Sequence, residues 1–126
     1  KLSVYSVEKT ELAVGDQVLQ ATAKIMTQNM RAGDLLARWG GEEFLALLPR
    51  TSPTAALEAA ERIREAVEAF TLRVSDTNTQ VRVTVSFGVS SVRCLDDLQA
   101  ATARADQALY ASKDNGRNRI TLAEDQ

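Results

Sequence analysis

The fold and the candidate chemistry of this chain both depend on one stretch, Arg38-Trp39-Gly40-Gly41-Glu42-Glu43-Phe44. Mostly apolar runs flank it, at residues 35–39 and 44–48. A glycine pair between two such runs predicts a tight hairpin, because glycine accepts the positive φ that short hairpin turns require. The sequence therefore places two adjacent carboxylates at the tip of a hairpin.

The paired glutamates allow two interpretations. Adjacent carboxylates repel each other, and a divalent cation would relieve that repulsion. Mg²⁺ takes oxygen ligands, typically from one or two carboxylates together with substrate phosphates. This favours a metal–nucleotide site at the hairpin tip, whereas the alternative is a solvated acidic turn of a common kind.

Residues 40–44, Gly-Gly-Glu-Glu-Phe, resemble the signature of the GGDEF family, the diguanylate cyclase domains, in its glutamate variant. The resemblance spans residues 15–120 and includes further motifs in order, which are more specific together than one pentapeptide. They are Arg31-Ala32-Gly33-Asp34, Val83-Thr84-Val85-Ser86-Phe87-Gly88-Val89, Ala105-Asp106-Gln107-Ala108-Leu109-Tyr110, and Lys113 followed by Gly116-Arg117-Asn118.

The resemblance implies an α/β (α+β) fold in which a central, largely antiparallel sheet is flanked by helices, similar to the palm of nucleotidyl cyclases and polymerases. It also implies that two GTP molecules are condensed into cyclic di-GMP and pyrophosphate. Mg²⁺ or Mn²⁺ would serve as the cofactor, and two domains, each holding one GTP, would meet as a homodimer.

The family's catalytic residues fall on Glu42, as metal ligand, and Glu43, as an acidic partner that helps to deprotonate the attacking hydroxyl. The implied substrate contacts are Asp16 to guanine, Gly40 and Gly41 along the nucleotide, and Lys113 and Arg117 to its phosphates. Residue chemistry alone also allows purely structural roles, since aspartate caps helices and cations are favoured at helix C-termini.

The family's inhibitory product site falls on Arg31, Asp34 and Arg62. Arginine pairs bidentately with guanine O6 and N7, and an aspartate can accept from the opposite edge of the base. The alternatives are a helix end followed by a turn at residues 31–34, and an ion pair between Arg62 and Glu58 one helical turn away.

Residues 2–14 depart from the family pattern, because they contain neither aspartate nor asparagine. The family has an Asp-x-Asp-x-Phe-Lys strand there, whose first aspartate is a metal ligand. Ser6 or a neighbour occupies that position, and Glu8 is the nearest substitute carboxylate. We therefore expect a single domain over residues 1–126 whose segment 1–14 is either degenerate or incomplete.

This departure keeps three hypotheses open. The first is a cyclase with product inhibition. The second is a catalytically degenerate domain that acts as a cyclic di-GMP receptor or GTP-sensing module, and the third is an interaction domain without a nucleotide role.

Local patterns predict the remaining elements. Strands are expected at residues 2–7, 80–89 and 117–122, the second of them half-buried because it alternates strictly. Helices are expected to begin at Asp16, at Ser52-Pro53 and at Asp96 or Asp97, the last ending at Asn115-Gly116.

Composition limits the function classes. The 126 residues fit one domain, and a net charge of −2 gives no general attraction to nucleic acid or anionic membranes. The chain has no histidine, which excludes Ser-His-Asp and Cys-His catalysis, and its single cysteine excludes an internal disulfide. We expect a cytoplasmic domain, without membrane or nucleic-acid contact, that follows an upstream sensory or regulatory domain.

Overall fold

The computed structural model describes residues 2–9, 16–38, 42–73, 80–92 and 97–123, with the backbone alone at residues 2–9, 16 and 81. Strands and helices follow one another along these ranges. They are β1 (Leu2–Lys9), α1 (Asp16–Gln28), β2 (Leu35–Arg38), β3 (Glu43–Pro49), α2 (Pro53–Ala69), β4 (Leu72–Arg73), β5 (Gln80–Val81), β6 (Val85–Val92), α3 (Leu98–Asp114) and β7 (Ile120–Leu122).

The main sheet contains five strands in the order β2-β3-β1-β6-β7. Its neighbouring strands are antiparallel except for β6 and β7, which are parallel. Strands β4 and β5 form a separate antiparallel pair. The expected α/β architecture with a largely antiparallel central sheet is confirmed.

The predicted hairpin is also confirmed, since β2 pairs antiparallel with β3 and Arg38 lies opposite Phe44. Gly40 and Gly41 lie outside the described residues. Helix α2 begins as predicted, because Ser52 accepts a hydrogen bond from the backbone N–H of Ala55 at 3.1 Å and Pro53 occupies the first turn. No helix in the described part of the chain is both long and apolar enough to span a bilayer.

Strand β6 is covered on both faces, so the prediction of a half-buried strand is wrong. Val85, Phe87 and Val89 are fully buried in the core formed with α1 and α2. On the other face, α3 lies so close that a Cβ added to Gly88 would be 2.0 Å from the carbonyl oxygen of Ala105. Small residues at alternate positions of β6 therefore indicate close helix packing rather than contact with water.

The prediction of one continuous strand over residues 80–89 is also wrong. Residues 80–81 leave the main sheet and pair with β4, and only residues 85–92 form β6. Between them, Arg82 donates a hydrogen bond to the backbone oxygen of Glu68 at the end of α2 (3.0 Å). The alternating valines continue across this break, which is why the sequence pattern hides it.

Candidate active site and ligand cleft

An acidic corner, formed by Glu42, Glu43 and Asp106, lies where β3 begins. The Oε2 atom of Glu42 is buried and has no hydrogen-bond partner. Burying a carboxylate oxygen without a partner is unfavourable unless a cation or a hydrogen-bond donor compensates it. The buried oxygen of Glu42 therefore favours a cation or a hydrogen-bond donor beside it.

Glu43 experiences the same excess of negative charge. Burial raises the pKa of its carboxyl, and the nearby charges of Asp106 and then Glu42 raise that pKa further. The position of Asp106 on α3 brings a third carboxylate near the pair. The motif around Asp106 does not by itself predict a role for this residue. The signal in the sequence is its spacing, because Asp106 lies seven residues before Lys113 and so on the same face of a helix.

The backbone register relates the acidic corner to β1. Glu8 is the partner of Glu43 across the β1–β3 ladder, whereas Ser6 is the partner of Leu45. Of the two substitutes considered from the sequence, position 8 is thus the one beside the glutamate pair. The side chains of β1 lie outside the described residues.

Glu42 fits a hard divalent cation, because its Oε2 atom is buried without a hydrogen-bond partner and Mg²⁺ prefers carboxylate oxygens as ligands. Glu42 is the side chain placed to hold such an ion. Among the side chains that the structure describes, no three acidic or cysteine groups converge closely enough to form a complete metal site by themselves.

Lys113 and Arg117 form a cationic pair at the C-terminal end of α3. Partial burial lowers the pKa of Lys113, and the neighbouring positive charge of Arg117 lowers it further. Lys113 follows Asp106 by two helical turns, a rise of about 10 Å along α3. Helix α3 therefore carries an acidic group near Glu43 and a lysine two turns later, and Arg117 follows in the turn after the helix.

An arginine cleft with a volume of about 180 Å³ lies between the end of α1, the end of β3 and the start of α2. Its lining includes all three residues predicted for product binding. The lining residues are Asn29, Met30, Arg31, Asp34, Leu48, Thr51, Ala55, Glu58, Ala59 and Arg62.

Local bonds fix the turn at residues 31–34. The carboxylate of Asp34 accepts from the backbone N–H of Arg31 at 2.8 Å and is only 5% exposed. Gly33 has a φ of +95°, which residues with a Cβ rarely adopt. This tight turn brings Nη2 of Arg31 to 3.7 Å from Oδ1 of Asp34 at the cleft.

The guanidinium groups at the cleft are held by distant parts of the chain. Arg31 donates to the backbone oxygen of Pro49 at 3.1 Å and to the hydroxyl of Thr51. Arg62 donates to the backbone oxygen of Asn29 at 3.2 Å, rather than serving only as a solvated surface charge. Arg31 is nevertheless 62% exposed in its side chain, so its guanidinium remains accessible to a ligand.

The predicted residues thus form two groups at opposite ends of β3. This strand is seven residues long, so residues 43 and 49 are about 20 Å apart along it. Asp16 is the first residue of α1, but its side chain, like Gly40 and Gly41, lies outside the described part of the chain.

Comparison with known proteins identifies the family. The model of the family "Diguanylate cyclase, GGDEF domain" matches residues 12–119. The chain is 46% identical over 112 residues to diguanylate cyclase A of Treponema denticola, covering 88% of this chain and 30% of that protein. It is 40% identical over 108 residues to the response regulator PleD of Caulobacter vibrioides, covering 85% of this chain and 24% of PleD. The chain thus spans less than a third of either relative.

Solved structures agree with the sequence comparison. The GGDEF domain of DgcB from Caulobacter crescentus, in complex with c-di-GMP, superposes with a TM-score of 0.91 at 30% identity, covering 98% of this chain and 78% of that one. The active GGEEF domain of a diguanylate cyclase from Vibrio cholerae gives a TM-score of 0.85 at 30% identity, covering 99% and 84%. This chain belongs to the family of diguanylate cyclase GGDEF domains.

Proposed function

We propose that this chain condenses two GTP molecules into cyclic di-GMP and two pyrophosphates, and that it binds the product in the arginine cleft. The observation that carries the proposal is the buried, unpartnered Oε2 of Glu42 beside Glu43 and Asp106. Such a corner favours a divalent cation with its attached phosphates. A bound Mg²⁺ or Mn²⁺ would polarise the α-phosphate and lower the pKa of the attacking ribose hydroxyl.

The chain's own residues divide the remaining work. Glu42 holds the cation. Glu43, the first residue of β3 and the neighbour of Glu42, is proposed to accept the proton of the ribose 3′-hydroxyl. Lys113 and Arg117 receive the triphosphate, and Asp16, Gly40 and Gly41 are proposed to hold the guanine and the nucleotide backbone.

The reaction requires two copies of the chain. Each 3′-oxygen forms a bond to the α-phosphorus of the other GTP, and each attack releases one pyrophosphate. A symmetric homodimer would present the two nucleotides to each other and convert the encounter into an oriented reaction. We propose further that the chain is the output part of a longer protein with an upstream regulatory domain, since it covers only part of the relatives' length.

Product binding is proposed for Arg31, Asp34 and Arg62. The two guanidinium groups can pair with the O6 and N7 acceptors of guanine, and Asp34 can accept from the base's N–H groups. The hydrogen bonds of Arg31 to Pro49 and Thr51 support this role, because they orient the group before a ligand arrives.

We propose Glu8 as the substitute for the aspartate that the family carries in β1. Its support is the register that sets Glu8 opposite Glu43. Glu8→Gln should then reduce turnover strongly, whereas Ser6→Ala should leave it near the unmodified level. The reverse ranking would assign the role to position 6.

The runner-up function is a catalytically degenerate receptor for cyclic di-GMP or a sensor of GTP. The lack of any aspartate in residues 2–14, where the family carries a metal ligand, favours it. In that case the arginine cleft would bind the dinucleotide without any turnover of GTP.

One experiment separates the two functions. The purified, nucleotide-free chain is incubated at high concentration with GTP and Mg²⁺, and the nucleotides are resolved by chromatography beside a Glu42→Ala control. Formation of cyclic di-GMP that is lost in the control supports the cyclase. No product, from a folded chain that still binds cyclic di-GMP, would replace the cyclase by the receptor.

A further inference from the structure

The turn that follows α3 has an unusual backbone. Gly116, Arg117 and Asn118 have φ values of +119°, +64° and +49°. Left-handed conformations are rare for residues with a Cβ, and asparagine tolerates them better than arginine does. The surrounding structure therefore holds Arg117 in a backbone conformation that is unfavourable for arginine.

Asn118 fixes this turn from three sides. Its backbone N–H donates to the Oγ of Ser86 at 3.0 Å, its Oδ1 accepts from Nη1 of Arg64 at 3.0 Å, and its Nδ2 donates to Oε2 of Glu68. The backbone N–H of Arg117 donates in addition to the oxygen of Ser112 at 2.9 Å. The side-chain bonds connect the turn to α2, about 50 residues earlier in the chain.

On α2, two glutamates hold the guanidinium of Arg64 in place. Arg64 is 16% exposed in its side chain and pairs with Glu61 through two bonds, Nε to Oε1 at 2.7 Å and Nη2 to Oε2 at 2.6 Å. Its Nη1 also lies 3.5 Å from Oε1 of Glu68. A planar guanidinium that makes two parallel hydrogen bonds to one carboxylate has little freedom to rotate. Arg64 therefore presents its remaining N–H group to Asn118 in a fixed direction.

We infer that Arg64, Glu68 and Asn118 are positioning residues that keep Arg117 beside Lys113 to receive the phosphates of a nucleoside triphosphate. The inference rests on the proposed function. If Arg117 relaxed to an ordinary φ near −60°, that dihedral would change by about 120° and redirect the guanidinium. The three residues thus act on the substrate through Arg117.

Two substitutions remove bonds of this network, one in the turn after α3 and one in α2. Asn118→Gly keeps the freedom for a left-handed backbone but removes both side-chain bonds, and Glu68→Ala removes one partner while leaving the turn's own sequence intact. Glu58→Ala, which removes the same charge from another exposed position of α2, is the matched control for the affinity of the triphosphate.

The ligand is 3′-deoxy-GTP with Mg²⁺, which cannot react because it lacks the attacking hydroxyl, and its affinity is measured by calorimetry. We expect Arg117→Ala, Asn118→Gly and Glu68→Ala each to weaken binding about tenfold, as is typical for charge-assisted hydrogen bonds. In the Arg117→Ala background the other two substitutions should have no further effect, because the network acts through that residue. Affinity for cyclic di-GMP should stay unchanged.

Amide hydrogen exchange gives a readout that needs no nucleotide. Glu68→Ala should speed exchange of the N–H groups of Arg117 and Asn118, while the β1–β6 ladder remains protected. Unchanged exchange at the turn would overturn the inference, and so would faster exchange without any loss of affinity.

The outcomes separate this inference from the proposed function. If Arg117→Ala weakens binding of the triphosphate but Asn118→Gly and Glu68→Ala do not, the positioning role is overturned and the phosphate site remains. Additive losses in the Arg117→Ala background would show a general effect on the fold and overturn it as well. No change in Arg117→Ala would refute the phosphate role of Arg117 in the proposed function, and the positioning role with it.

Discussion

The acidic corner and the arginine cleft lie at opposite ends of β3 and differ in how well their polar groups are satisfied. In the corner, a buried oxygen of Glu42 has no partner and the pKa of Glu43 is raised. In the cleft, Arg31 and Arg62 already donate to backbone oxygens, and the carboxylate of Asp34 accepts from the backbone. The glutamate carboxylates of the corner are poorly compensated by the protein groups that the structure describes, whereas the guanidinium groups of the cleft already have hydrogen-bond partners.

The two regions show how one small domain can combine an acidic site that favours a cation with a basic site that favours an anionic ligand. Carboxylates brought together without a counterion cost folding free energy, so the corner is expected to change most when a cation binds. Guanidinium groups held by backbone oxygens keep their charge and their direction, so the cleft can receive a ligand with little rearrangement. The predictions below test this contrast.

The largest effect is expected from Glu42→Gln, which removes the charge of the residue proposed to hold the cation and keeps its shape. Turnover of GTP should fall about a thousandfold, because losing a metal ligand raises the barrier by several kcal/mol. Affinity for cyclic di-GMP, measured by calorimetry, should not change. A parallel loss of both properties would mean that the two regions are not independent.

Arg31→Ala should weaken cyclic di-GMP binding about a hundredfold, since bidentate arginine–guanine pairs contribute about 1–3 kcal/mol each and this arginine is fixed in advance. Arg73→Ala, at an exposed arginine of β4, is the matched control. Tight binding that survives in Arg31→Ala would refute the assignment of the cleft. Turnover at low product concentration should remain.

Arg62→Ala should have a smaller effect on the same binding, about tenfold, because Arg62 is held by fewer contacts than Arg31 and loses more side-chain freedom when a ligand binds. Arg62 makes one bond, to the backbone oxygen of Asn29, whereas Arg31 makes two. Calorimetry on the two single variants ranks them. An Arg62→Ala loss that exceeds the Arg31→Ala loss would contradict this view of the cleft.

The smallest effect concerns the stability of the metal-free chain. Because the pKa of Glu43 is raised on folding, the folded chain binds its proton more tightly, and the free energy of unfolding falls as pH rises through the folded pKa. Glu43→Gln should remove this loss and stabilise the chain at neutral pH by less than about 1 kcal/mol, since solvent screens a partly exposed group.

Thermal unfolding in a chelator between pH 4 and pH 8 measures the effect of Glu43→Gln. The two proteins should converge at the acidic end, where Glu43 is protonated. Added Mg²⁺ should stabilise the unmodified chain more than the variant. A variant that is less stable than the unmodified chain at neutral pH would show that the corner is not strained by its charges.

Much of the fold followed from local patterns. The start of α2 at Ser52-Pro53 and the hairpin on either side of residues 39–41 depend on neighbouring residues only. The break before β6 did not follow, because the alternating valines continue through residues 82–84 while the backbone changes partners. Burial of both faces of β6 was missed because small residues can face either water or a closely packed helix.

The family, the α/β architecture and the adjacent Glu42 and Glu43 could be predicted from the sequence, since these depend on residue types at short spacing. Three contacts could be seen only in the folded chain: Asp106 adds charge to the glutamate pair, Thr51 holds Arg31, and Asn118 reaches Glu68. Each of these contacts joins residues far apart in the chain. Their geometry depends on how helices pack on the sheet, which no short stretch of sequence specifies.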